Sequence, residues 1–423
     1  PDSITFICIL KACGSTSSID KGKQIHEEIV SRGLLKKDIV LGNVLIDLYA
    51  KSGMFTRAEE AFNELVIQDT VSWNSLIAGY TQQGQGHEAI DCFVQMESEG
   101  ISPNVVTWIC VLKACGGLKA LDKGKRIHNE IEKKASITGE DTVLGNALVD
   151  MYGKCGNIAR AKEVFEELTV RNLVSWNILI SGYVQQGQGL HALQLFDEML
   201  QIGVIPNHVT YISCLGACAS LCVLGKGKHI YTQMIHSELG SNVLLGTALV
   251  NLYGRCGKLV DAQRVFDEML EHDVISFNVI LAAYAQHGCG KVVVEIFYQM
   301  LKEGFVPDST TFTHTLSACS HAGLVDDGRH IFQLMKVKYG INPGLEHYDC
   351  MIDLLSRAGR LEEVDELVIR MPFKPSLISW TAILGSCSDV KMGDRVAHSM
   401  LEIDPMCCSS YVTLSNIYTS VSG

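Results

Sequence analysis

The sequence predicts an all-α solenoid of stacked helix-turn-helix hairpins, and three observations carry that prediction. Related segments recur at an interval of about 102 residues. Each interval divides into three related stretches of 31 to 37 residues. Within a stretch, apolar residues follow helical spacing twice, and no strand-period segment of any length intervenes.

The elements follow in order. FICILKACG at 6–14 returns as WICVLKACG at 108–116, YISCLGACA at 211–219 and FTHTLSACS at 312–320. LGNVLIDLYAKSG at 41–53 returns as LGNALVDMYGKCG at 144–156, LGTALVNLYGRCG at 245–257 and, more loosely, HYDCMIDLLSRAG at 347–359. VSWNSLIAGYTQQGQG at 71–86 returns as VSWNILISGYVQQGQG at 174–189 and ISFNVILAAYAQHGCG at 275–290. In 70–104, Trp73, Leu76, Ile77 and Tyr80 fall on one helical face. Gly84 and Gly86 interrupt, and Ala89, Cys92, Phe93 and Met96 make a second stripe. Gly100 suits a C-terminal cap, and Pro103, like Pro206 and Pro307 after it, cannot continue the helix. A single hairpin cannot bury both stripes, so successive hairpins must stack.

Composition bounds the class. The chain has 423 residues, 47% of them hydrophobic and 19% charged, which is too apolar for disorder. No run approaches the ~20 apolar residues of a membrane helix. The formal net charge of −12 argues mildly against nucleic acid, because phosphate binding usually shows as a basic excess. A chain opening Pro1-Asp2, without Met or a leader-like segment, is expected to be part of a longer protein. The 16 cysteines do not form a disulfide pattern. Cys13, Cys115, Cys218 and Cys319 recur at the same place in apolar segments, as do Cys155 and Cys256, and are expected to be buried thiols. No CxxC pair occurs, which argues against a zinc knuckle.

The residues now support a resemblance. V-S-W-N-x-L-I-x-G-Y, followed by A-x-x-L/C-F-x-x-M and G-x-x-P-N/D, resembles the pentatricopeptide repeat. The alternation of unit lengths, with GKQIHEEI, GKRIHNEI and GKHIYTQM in the long units, resembles the plant PLS class, named for its P, long and short repeats. Long units are read at 3–38, 105–141, 208–242 and 309–344; short units at 39–69, 142–172, 243–273 and 345–376; P units at 70–104, 173–207 and 274–308. LISWTAILGSCSDVKMGDRVAHSMLEIDP after Ser376 and SSYVTLSNIYTSVSG from Ser409 resemble the E1 motif and a truncated E2 motif, so 377–423 is read as that region. The resemblance implies a right-handed superhelix and membership of the E/DYW subgroup of plant organelle RNA-editing factors. It also implies single-stranded RNA as partner, location in mitochondrion or chloroplast, and possible editing-complex proteins bound through the E region. No membrane partner is expected.

Such repeats read about one base per unit through two or three side chains. Short polar groups on the first helix and at the end of the unit must meet an unstacked base. By resemblance, the fifth and last residues of the units do so. These pairs are Asn43 with Asp69, Asn74 with Asn104, Asn146 with Asn172, Asn177 with Asn207, Thr247 with Asp273, and Asn278 with Asp308. In the family's pattern Asn/Asn favours C, Asn/Asp favours U and Thr/Asp favours G. With the chain parallel to the RNA and the long units unassigned, the string is 5′-U C n C C n G U-3′. Ile7, Ile109 and Ile212 at position five of long units cannot hydrogen-bond a base, and Thr313, Asp349 and Ser376 depart from the simple pairs. Inherited scaffold is the competing account of the asparagines. Val40, Val71, Val143, Val174, Leu244 and Ile275 at position two match residues that sandwich bases in the family; ordinary packing between repeats is the alternative. Lys51, Lys154, Arg255 and Arg357 share one place in the short units, either as backbone contacts or as helix C-terminal cations favoured by the dipole.

No catalytic site is expected in this chain. His26-Glu27-Glu28 and His128-Asn129-Glu130 spell H-x-E without the CxxC partner of a zinc deaminase. The GQG glycines lack the preceding strand and following Lys of a phosphate loop. No cofactor is expected either; zinc would enter only if a DYW-type cytidine deaminase domain followed. The function expected is sequence-specific RNA binding that positions a cytidine for C-to-U editing. The alternatives are a protein-binding, tetratricopeptide-like solenoid and an RNA stabilisation or splicing factor.

Overall fold

The computed structural model of the protein describes residues 2–16, 18–35, 38–133, 142–236, 243–386 and 390–403. These residues form twenty-four helices and no strand. The first hairpins are α1 (Ser3–Thr16) with α2 (Ile19–Ser31), α3 (Ile39–Lys51) with α4 (Phe55–Asn63), and α5 (Thr70–Gln82) with α6 (Gly86–Ser98). Next come α7 (Val105–Gly117) with α8 (Leu121–Lys133), α9 (Thr142–Lys154) with α10 (Ile158–Glu167), and α11 (Leu173–Gln185) with α12 (Gly189–Gln201). Then follow α13 (His208–Ser220) with α14 (Leu224–His236), α15 (Val243–Arg255) with α16 (Leu259–Glu268), and α17 (Val274–Gln286) with α18 (Gly290–Lys302). The last are α19 (Ser309–Ala322) with α20 (Val325–Val337), α21 (Leu345–Arg357) with α22 (Leu361–Arg370), and α23 (Leu377–Ser386) with α24 (Val390–Ile403).

Pro1–Ala217 and Cys218–Gly423 are two compact bodies. In each, an odd-numbered helix packs on its even-numbered partner and on the next odd-numbered helix. Thus α5 packs on α6 and α7 in the first body, and α17 on α18 and α19 in the second. The odd-numbered helices therefore make a continuous row within each body, which places equivalent side chains at a repeating interval.

Packing explains the recurring aromatics. Phe62 of α4 meets Trp73 of α5 edge-on at 4.6 Å between ring centroids, and Phe165 of α10 meets Trp176 of α11 at 4.9 Å. In the second body Phe266 of α16 meets Phe277 of α17 at 5.1 Å. Such edge-to-face contacts add roughly 0.5–1.5 kcal/mol to the burial of the rings. Gly79 sets the spacing of α3 and α5, since a Cβ there would lie 2.3 Å from the Cβ of Ala50. Gly100 ends α6 with φ of +77°, and its N–H and that of Ile101 donate to the carbonyls of Glu97 and Met96. This is a left-handed C-terminal cap, and Pro103 follows it.

The recurrent cysteines are core residues. Cys13, Cys115, Cys218 and Cys319 are buried, while Cys155 and Cys256 are half-buried. The cysteines described are free thiols. Burial pushes Cys115 and Cys218 up to about 11 and Cys319 up to about 12, so these thiols stay protonated and inert. The stretch compared with E1 holds α23 and α24, whereas the segment compared with E2 lies outside the described residues.

Candidate nucleic-acid interface

The junction between successive hairpins carries a polar clasp, and its logic starts at the helix N-terminus. The first backbone N–H groups of a helix have no intrahelical acceptor. The last residue of each P unit supplies one. Asn104, Asn207 and Asp308 accept the N–H of Thr107, Thr210 and Thr311 at 3.1, 3.2 and 2.8 Å through Oδ1. Those threonine hydroxyls accept the backbone N–H of the cap in return, each at 3.1 Å, closing a capping box.

The fifth residue of the same unit completes the clasp. An Oδ1 that accepts backbone N–H can receive only a donor from the neighbouring asparagine. Asn74 Nδ2 donates to Asn104 Oδ1 at 3.0 Å, Asn177 Nδ2 to Asn207 Oδ1 at 3.0 Å, and Asn278 Nδ2 to Asp308 Oδ1 at 3.1 Å. Each asparagine Oδ1 then accepts the threonine hydroxyl at 2.6 Å. In the short unit 39–69, Asn43 Nδ2 donates to Asp69 Oδ1 at 3.3 Å and Ser72 donates to Asn43 at 2.6 Å. The amide orientations are thus fixed by the backbone donors rather than chosen freely.

Two expected pairs do not meet. Thr247 donates instead to the Val243 carbonyl of its own helix at 2.8 Å, because a threonine hydroxyl on a helix reaches the carbonyl four residues back. Asp273 caps α17 without it. Asn172 caps α11, but no hydrogen bond joins it to Asn146, whose buried Oδ1 has no partner. Conversely, Ser376 donates to Asp349 at 2.8 Å, so this atypical pair does form a clasp.

The clasps divide buried from exposed chemistry. Asn43, Asn74, Asn146, Asn177, Thr247 and Asn278 are only 6–9% exposed. Asn104 and Asp308 are exposed, and Asp69 and Asn207 half-buried. The position-five group is therefore held against the last residue, with Asn177 and Asn278 each still lining a hollow beside it, and the last residue is the more accessible of each pair. Asn104 engages Oδ1 and presents its Nδ2 donor; Asp69 engages Oδ1 and presents Oδ2. Burial pushes Asp69 and Asp308 up, but the N–H and hydroxyl of the capping Ser72 or Thr311 and the asparagine amide outweigh it. Both carboxyls are held below the usual carboxylate range. They remain anions, and hence acceptors only, at neutral pH.

Aliphatic side chains flank these edges. Val40, Val71, Val143, Val174, Leu244 and Ile275 are each more than half exposed, so packing between repeats does not account for them. Ile4, Val106 and Val209 of the long units and Ile378 of α23 are equally exposed. Sequence reasoning did not single out these four; their shared second position was the available signal. Around Asn177, Val174 and Val209 form the sides of a hollow of about 370 Å³ with Asn207, Ser181 and Lys154. Around Asn278, Ile275, Asp308, Arg255, Gln286 and His314 line one of about 430 Å³.

The four aligned cations are not equivalent. Lys51, Lys154 and Arg357 pair with Asp47, Asp150 and Asp353, one turn earlier, at 2.7, 2.7 and 2.9 Å. Such exposed pairs contribute only about 0.3–0.5 kcal/mol each, but they offset the charge facing the hollow. Arg255 has Asn251 at that place and lines the hollow around Asn278.

The H-x-E histidines belong to the core. His26 and His128 are buried, with Nδ1 at 3.0 and 2.9 Å from the hydroxyls of Tyr49 and Tyr152. Among the described residues no cluster of three metal-ligating side chains occurs, and no helix is long and apolar enough to cross a membrane.

Comparison with known proteins agrees with this architecture. Residues 68–117, 171–220 and 272–321 match the PPR repeat family, and 43–68, 146–173, 247–274, 310–339 and 346–374 match the PPR repeat. Pentatricopeptide repeat-containing protein At4g38010 of Arabidopsis thaliana is 39% identical over 99% of this chain and 75% of its own length. Pentatricopeptide repeat-containing protein At3g02330, mitochondrial, of the same plant is 34% identical over 99% of this chain and 48% of its own. Other relatives are labelled chloroplastic. The chain thus spans between about half and three quarters of the length of these relatives. A crystal structure of the pentatricopeptide repeat protein PPR10 with an 18-nt psaJ RNA element superposes with a TM-score of 0.62 at 18% identity, over all of this chain and 72% of that one. The fold, the recurrent clasped hairpins and the relative that matches over three quarters of its length together establish that the chain belongs to the pentatricopeptide repeat family.

Proposed function

We propose that this chain binds single-stranded RNA in a sequence-specific manner, one nucleotide per hairpin, and is the PLS-type array of a plant organelle editing factor that positions a cytidine for C-to-U conversion. The observation that carries the binding reading is the clasp whose exposed edge is a donor or an acceptor according to one residue, set between exposed aliphatic side chains. A relative of the same fold is crystallised with RNA, which supports it. The outward amide of Asn104 or Asn207 suits N3 of cytosine, an acceptor. The carboxylate of Asp69 or Asp308 suits the N3–H of uracil and repels the cytosine lone pair. Val174 and Val209 would hold the base between them. No catalytic chemistry is needed from these residues; deamination would come from another domain or protein. The motif order ending in the E1-like α23–α24 hairpin supports editing over stabilisation or splicing.

The test is a binding titration at fixed salt with an RNA carrying 5′-UCNCCNGU-3′ and with a scrambled RNA of equal composition. Each mismatched base is expected to cost about 1–3 kcal/mol, so the scrambled RNA should bind at least roughly tenfold more weakly. Equal affinities would reject specific reading.

A further inference from the structure

The hollow between α21 and α23 repeats the layout seen around Asn177. It is lined by Asp353, Ser356, Arg357, Ile378, Thr381 and Gly385, with a volume of about 790 Å³. The correspondence is by position. Ile378 is the second and Thr381 the fifth residue of the hairpin that begins α23, as Val174 and Asn177 are of the hairpin that begins α11. Arg357 and Asp353 stand at the end of the preceding odd-numbered helix, as Lys154 and Asp150 do. Ile378 is 68% exposed although it is a large aliphatic residue, and none of the described residues of the second body covers it. Thr381 is exposed, and its hydroxyl donates to the Leu377 carbonyl, which leaves its lone pairs for an incoming donor. The floor differs from the flanking walls. Ser379 and Ser376 both donate to Asp349, so the polar clasp that caps α23 is closed by the preceding hairpin.

We infer that the α23–α24 hairpin is an RNA-binding unit in its own right, accepting one nucleotide next to that of 345–376. In this site Ile378 covers a base face, Thr381 meets its polar edge, and Arg357 lies near the phosphate. The inference rests on the RNA-binding reading above and extends it to a hairpin to which sequence comparison assigned no base. A single nucleotide is the occupant the site fits, because Asp353, Arg357, Ile378 and Thr381 stand where Asp150, Lys154, Val174 and Asn177 line the hollow around Asn177.

The experiment compares the chain's affinity for two RNAs. The first carries the predicted string and ends at the nucleotide of 345–376. The second is one nucleotide longer at the 3′ end. The longer RNA is expected to bind about five- to tenfold more tightly, the low end of what one stacked base contributes. Ile378→Glu should abolish that gain, while the shorter RNA is still preferred over its scramble. The variant should also fold, since the site is exposed and Glu346 occupies the second place of the preceding hairpin. Thr381→Asn should change which 3′ base binds best. Equal affinities for the two RNAs, with the string still preferred over its scramble, would overturn this inference and leave the general reading intact; a protein docking there instead of RNA gives that result. A gain that survives Ile378→Glu would place the added nucleotide elsewhere and overturn the assignment. Failure to prefer the string at all would reject both.

Discussion

Asn207 does two jobs with one side chain. Its Oδ1 caps α13 and receives Asn177, while its amide nitrogen faces the hollow between Val174 and Val209. Capping by Asn or Asp stabilises a helix by about 0.5–2 kcal/mol over alanine, and these two caps differ in the hydrogen-bonding sense of their free edge. Inherited scaffold and the proposed base reading are therefore not competing accounts of these residues, since one side chain has an atom for each. The aligned cations show the opposite case. Lys51, Lys154 and Arg357 already face aspartates, whereas Arg255 faces Asn251. Arg255→Gln should flatten the dependence of RNA affinity on salt by about 0.7 in logarithmic slope, the contribution of one phosphate contact on a single strand. Lys154→Gln should change the slope less, and equal effects would show that the Asp150 pair does not matter.

At the scale of helices, the internal repeat made much of the fold legible. The stripe through Trp73, Leu76, Ile77 and Tyr80 gave α5, and Gly100 with Pro103 gave the end of α6, because capping and apolar spacing are local. The pairs 43/69, 74/104, 177/207 and 278/308 were singled out through the resemblance, but the hydrogen bonds that join them span 26 to 30 residues and needed the packed hairpins. Thr247 makes no such bond, since its rotamer is chosen between two acceptors and the nearer is its own helix. The aspartates one turn before the cations were visible in sequence, but their effect on the free charge needed the packed geometry. The long and short units are joined by a contact the sequence did not announce, the buried pairs His26–Tyr49 and His128–Tyr152. Burial holds both histidines below their ordinary value; near His26 the carboxylates of Glu64, Glu60 and Glu27 oppose this and Arg57 adds to it, while near His128 Glu132 and Glu167 oppose it and Arg160 adds to it. Above pH of about 6.5 both folded and unfolded histidines are neutral and the fold keeps its full stability. As pH falls from there through the lowered folded values, the unfolded chain takes up protons first and stability is lost. Phe332 occupies the equivalent place in the last long unit, so His26→Phe with His128→Phe should fold. Thermal melts of that double variant should fall less between pH 6.5 and 5 than those of the parent, by roughly 2–4 °C for each kcal/mol of linkage removed. Parallel curves would show that these histidines do not titrate with unfolding.

For the molecule as a whole, a net charge of −12 and the proposed RNA-binding role are reconciled by where polarity lies. In each body the row of first helices presents neutral amides, a few carboxylates and exposed aliphatic side chains. Affinity on such a surface comes more from held bases than from phosphate charge, so specificity rather than general affinity is the property to measure. The most direct measurement uses Asn207→Asp, which preserves a helix cap and reverses only the exposed edge. The variant and its parent are titrated with two RNAs that differ solely at the base assigned to 173–207, C in one and U in the other. The parent should prefer C and the variant should prefer U. If the variant keeps the parent's preference, or loses both RNAs equally, the last residue of the unit does not choose the base.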